Sequence, residues 1–155
     1  MMMKPKIVLG GLLLLSLIFL GCLSSETGDD STEKVKAIIY KSPSCGCCGE
    51  YGSFLRSKGF DVEVVNLPDV SDIKQQYGIP AGMQSCHTTI IEGYFVEGHV
   101  PMEAIEQLLA ERPEIDGIAL PGMPSGSPGM SGPQTQPFTV YSVDEGGISE
   151  FLVVD

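Results

Sequence analysis

Thiols carry most of the chemistry this chain can perform. Three of its five cysteines, Cys45, Cys47 and Cys48, crowd into the stretch SPSCGCCGEYG, and a fourth, Cys86, stands beside His87 in MQSCHTT. Cys45 and Cys48 form a Cys-x-x-Cys pair. At a helix N-terminus such sulfurs meet the positive end of the helix dipole and unpaired backbone N–H groups, which favour thiolate. Thiolate is both the nucleophile of disulfide exchange and a ligand for soft metals, so the motif alone leaves both uses open. A framework of stapling disulfides would spread its cysteines along the chain; this spacing describes a site instead.

Cys45, Cys48, Cys86 and His87 converge as a soft ligand set, which favours Cu(I), with zinc next. Thioethers strengthen copper. Met83 lies three residues before Cys86, and Met123 and Met130 sit in PGMPSGSPGM, a polar loop with little core for them to fill. Met102, by contrast, reads as core filler on an amphipathic helix. The Cys47 side chain is expected to diverge from that of its neighbour Cys48, and the residue has three readings: a bridging ligand, a resolving thiol, or a small buried residue. His99, at the end of YFVEGHV, has the ordinary reading of an exposed histidine at a strand end.

Several elements must position these residues. VKAIIY (35–40) reads as a buried strand, and a helix is predicted from about Cys48 through Lys58, stopped by Gly59. DVEVVNL (61–67) is a second strand and DVSDIKQQYG (69–78) a short helix. HTTIIEG and YFVEGHV form a hairpin turning at Gly93. PMEAIEQLLAERP is a helix with Met102, Ile105, Leu108 and Leu109 on one face. A long Gly/Pro/Ser loop follows from Gly117, then FTVYSV and ISEFLVV, a closing β-hairpin set outside the core fold. Strand, Cys-x-x-Cys loop, helix, strand, helix, hairpin, helix is the order of the thioredoxin-like α/β fold, a mixed sheet flanked by helices. In that fold a cis-proline usually faces the Cys-x-x-Cys; here Cys86-His87 stands in its place, where a substrate disulfide would otherwise dock.

Compartment decides what cysteines do. Residues 1–21 read as an export signal: Lys4 and Lys6, an apolar run from Ile7 to Leu20, then Leu20-Gly21-Cys22, which resembles a prokaryotic lipobox with Cys22 as the lipidated residue. Residues 22–34 form a polar, acidic tether, 35–132 the metal-binding domain, and 133–155 the C-terminal hairpin extension. The domain is therefore expected outside the cytoplasm, anchored to the membrane through lipid on Cys22. The chain has 155 residues and a formal net charge of -11, which argues against nucleic acid as a partner.

SPSCGCCGEYGSFLRSKGF, GIPAGMQSCHTTIIEGYFVEGHVPMEAIEQLL and GIALPGMPSGSPGM resemble the CopG-type copper-resistance family over about Lys36 to Met130. These are exported thioredoxin-like proteins, distinct from the DNA-binding repressors of the same name. The resemblance implies copper or silver resistance outside the cytoplasm and a cysteine-bridged cluster of more than one copper ion. It implies ligands among Cys45, Cys47, Cys48, Cys86, His87, His99, Met123 and Met130. A copper-handling or electron-transfer protein is then a natural partner.

Two further readings compete with an extracytoplasmic Cu(I) protein. One is a thiol-disulfide oxidoreductase acting on exported proteins, with Cys45 and Cys48 as its redox pair. The other is a structural zinc domain, which needs neither a redox change nor a methionine loop.

Overall fold

The computed structural model describes residues 33–155. The expected signal segment, Cys22 and most of the tether lie outside the described residues. Among the described residues no helix is long and apolar enough to cross a membrane.

A mixed seven-stranded sheet is the frame, in the order β2-β1-β3-β4-β5-β6-β7. β1 (Lys36–Lys41) pairs parallel with β2 (Asp61–Asn66) and antiparallel with β3 (His87–Ile91). Ala37, Ile39 and Lys41 alternate onto the buried face of β1, as a period of two requires. β3 pairs antiparallel with β4 (Tyr94–Glu97) through Glu92 and Gly93, both at positive φ. β4 pairs parallel with β5 (Gly117–Ala119), so a helix must cross between them.

That helix is α3 (Met102–Glu111), whose Met102, Ala104, Ile105 and Leu108 are buried while Leu109 packs partly against the same core. α1 (Gly46–Ser57) connects β1 to β2 and buries Cys48, Tyr51, Gly52 and Leu55, spaced to share one helical face. α2 (Ser71–Gln76) is two residues shorter at each end than expected. The main core gathers Ile39, Tyr51, Leu55, Val96, Ile105, Leu108, Ile118 and Phe138 between the sheet and these two long helices.

Three expectations need correction. α1 begins at Gly46, with Cys45 as its N-cap residue, so Cys47 and Cys48 already lie in the first turn. The residues from Gly117 do not all loop: Gly117–Ala119 form β5 because their backbone continues the β4 ladder. The C-terminal pair is no appendage. β6 (Phe138–Asp144) pairs with β5, β7 (Gly147–Val154) pairs with β6, and Phe138 and Val140 are buried in the main core.

Candidate metal centre

Four sulfurs meet where the start of α1 faces the start of β3. The Sγ atoms of Cys45, Cys47, Cys48 and Cys86 all lie within 4.8 Å of one another. Cys45 and Cys48 are joined in a disulfide with Cα atoms 5.5 Å apart, while Cys47 and Cys86 are free. The Cys47 sulfur does not diverge from that of its neighbour Cys48 but stays within 4.8 Å of it, and it lies 3.5 Å from the Cys45 Sγ. The reason is the early helix start. With Cys45 outside the helix in extended backbone, its side chain folds back over the first turn towards Cys47. No side chain caps this N-terminus and no acid occupies its first turn, so its amides and dipole are free to favour anionic sulfur.

Cys86 also belongs to a second set. Its Sγ lies 3.4 Å from His87 Nδ1 and 3.2 Å from His99 Nε2, and these three ligand atoms also cluster within 4.8 Å. His99 is thus fully buried beside Cys86, in keeping with its place among the candidate ligands and unlike the exposed strand-end histidine of its ordinary reading. Its Nδ1 donates to the Pro128 carbonyl at 2.7 Å. A carbonyl only accepts, so Nδ1 carries the proton and neutral His99 presents the Nε2 lone pair to Cys86. His87 Nε2 is buried without a partner.

Burial sets the protonation of the set. It drives the His87 imidazole down to about 3, helped by His99, Lys74 and Lys41, and lowers His99 as well, against the opposing Pro128 bond. Both rings stay neutral at pH 7, as metal ligands must. Burial, then the nearby Cys47, pushes the Cys86 thiol up to about 11, so a metal has to displace its proton. Tyr51 lies against both rings, 4.7 Å from His87 and 5.5 Å from His99 between centroids. Its hydroxyl, itself shifted upward by burial, donates to the Val100 carbonyl.

The Gly/Pro loop closes over this set. Pro128 supplies the His99 partner, and Gly129, at φ +80, packs so closely that a Cβ there would stand 2.7 Å from Tyr51 N and 3.0 Å from Cys47 O. Met130 on that loop is half-buried and Met123 is 53% exposed. Met83 packs instead with Ile79, Phe95 and Val143 in a second hydrophobic cluster, as a core residue would.

Tyr51, Pro128 and Gly129 were missed as site residues. Tyr51 was legible only as one more apolar position on α1, and nothing in SPGM announces a carbonyl aimed at a histidine.

These elements define a mixed α/β protein whose sulfur and imidazole cluster can hold a metal. A family model described as a protein of unknown function, DUF411, matches residues 83–130. A solved structure named copper resistance protein CopG, Form 2, is 38% identical, covering 79% of this chain and 100% of that one at a TM-score of 0.73. Its Form 1 counterpart is 38% identical over 78% of this chain and 98% of that one, at a TM-score of 0.72. The chain belongs to the CopG copper-resistance family. No curated protein matches it.

Proposed function

We propose that this protein holds Cu(I) outside the cytoplasm, in a cysteine-bridged site of more than one ion on a thioredoxin-like frame, and serves copper resistance. The observation that carries this reading is the sharing of Cys86: its sulfur belongs both to the four-cysteine cluster and to the Cys86–His87–His99 set. A thiolate has several lone pairs and can bridge two Cu(I) ions, so one shared sulfur links two ligand sets. Thiolate and neutral imidazole are donors that suit Cu(I). Parallel β1 and β2 joined by α1, with Cys-x-x-Cys at its start, support the thioredoxin-like frame. Met123 and Met130 are thioether candidates by their place on the closing loop. Residues 1–21 and Cys22 support export and lipid anchoring.

The Cys45–Cys48 disulfide adds a redox step. Oxidising that dithiol forms one S–S bond and releases two protons and two electrons, enough to reduce two Cu(II) to Cu(I). The same bond favours the second reading, a thiol-disulfide oxidoreductase. Anaerobic titration of the fully reduced protein with Cu(I) separates the two. A copper protein takes up more than one equivalent with a thiolate-to-copper charge-transfer band and leaves insulin disulfides intact. An oxidoreductase reduces insulin and loses that activity in Cys45→Ser.

A further inference from the structure

A buried ion pair lies on the sheet face opposite the copper ligands' histidines. Lys74 of α2 and Glu97 of β4 are both buried and salt-bridged. Such a pair is a poor device for stability, because desolvating two charges offsets most of their attraction. The Glu97 carboxylate does something else: it collects three donors. One oxygen accepts the Ser85 backbone N–H at 2.6 Å and the Lys74 ammonium; the other accepts the Thr88 hydroxyl at 2.6 Å. Lys74 also donates to Thr88 Oγ1 at 3.2 Å. Ser85 and Thr88 bracket Cys86 and His87, so one carboxylate grips the chain on both sides of those ligands.

Ser85 is held from two other directions. Its hydroxyl donates to the Gly122 carbonyl at 2.5 Å. Gly98, at φ +78, packs so tightly that a Cβ would stand 2.8 Å from Ser85 Cβ and 2.6 Å from Leu120 O. The Gly98 N–H meanwhile bonds the His87 carbonyl at 3.1 Å. Gly98 directly joins Glu97 to His99, so the short stretch that anchors Ser85 at the end of β4 leads straight into the second histidine.

We propose that Glu97, balanced by Lys74, is a positioning residue that holds Cys86 and His99 as one ligand unit. This role for the pair rests on the copper-binding reading. The carboxylate fixes the approach of Ser85–Cys86 to β4, and that approach sets the 3.2 Å separation between Cys86 Sγ and His99 Nε2. Lys74 makes the burial of the carboxylate tolerable without touching the ligands.

The test compares wild type, Lys74→Arg, Glu97→Gln and the double variant Lys74→Met/Glu97→Leu. Three quantities are measured: the thermal midpoint, the iodoacetamide labelling rate of Cys86 relative to Cys47 in copper-free disulfide-form protein, and Cu(I) affinity by competition with a chromogenic chelator. Apolar replacement of a buried pair is often neutral for stability, but here it also strips the Ser85 N–H and the Thr88 hydroxyl of their acceptor, so the double variant should stay folded and melt below the wild-type midpoint. Its Cys86 should label several-fold faster, and its Cu(I) affinity should fall about 10-fold, the usual effect of losing a partner behind a ligand. Lys74→Arg should retain wild-type values. Glu97→Gln keeps the volume of the side chain, covers the case in which the double variant does not fold, and should show a smaller rise in Cys86 labelling. A folded Glu97 variant with wild-type Cys86 labelling would overturn the proposal. If wild type itself takes up no Cu(I), the copper reading fails, while the labelling comparison still decides whether Glu97 positions Cys86.

Discussion

Cys86 is the single residue on which both ligand sets depend, and its chemistry yields two expectations. Cys86→Ser keeps the size of the side chain but removes the sulfur common to both sets, so on the proposed function Cu(I) uptake should fall by at least one equivalent, read by metal analysis after anaerobic loading. The thiol of Cys86 holds its proton up to about 11, because burial and the nearby Cys47 disfavour thiolate. Copper must displace that proton, so Cu(I) affinity should weaken as pH falls, by about tenfold per unit for each proton released. Competition titrations from pH 6 to 8 measure the slope. At this scale the sequence was partly legible. Cys45, Cys48, Cys86 and His87 announce a site by type and spacing. The inward turn of Cys47 depends on a helix starting at Gly46, which two weak helix formers in GCCG obscured. The burial of His99 depends on a carbonyl 29 residues away in the chain.

Elements explain why the site is closed. The 120–137 segment has the composition of an open loop, yet its Pro128–Gly129 corner lies flush on the first turns of α1. Gly129→Val should prevent that docking, since any Cβ meets backbone at Tyr51 and Cys47 that cannot yield. The protein should stay folded, lose the His99–Pro128 bond and show a displaced His99 ring resonance by NMR; an unshifted resonance would contradict this account of the loop. β6 and β7 also act as an element. Phe138 is buried in the main core, so Phe138→Ala should cost about 3–5 kcal/mol in urea unfolding. Helices and hairpins were readable from their periodicity and turns. β5 was not, because three residues carry no period, and without β5 the C-terminal hairpin had no visible edge to join.

At the scale of the whole molecule, folding hides two histidines that the unfolded chain exposes. His87 stays neutral down to about pH 3 when folded, against the ordinary histidine range near 6.5 when unfolded. The unfolded chain therefore binds the extra proton between these values, and metal-free protein should lose stability as pH falls through that window. The slope is up to about 1.4 kcal/mol per pH unit for one group. His99, also lowered, adds in the same direction. Urea midpoints from pH 7 to 4 should show this decline, and His87→Gln should flatten it.

The cluster as a multinuclear Cu(I) site is tested by titrating the fully reduced protein with Cu(I) under anaerobic conditions while following ultraviolet thiolate-to-copper absorption. A band that grows linearly beyond one equivalent, breaks at a whole number greater than one and shrinks in Cys86→Ser is the expected result. Saturation at one equivalent or less, or a titration that Cys86→Ser leaves unchanged, would contradict it.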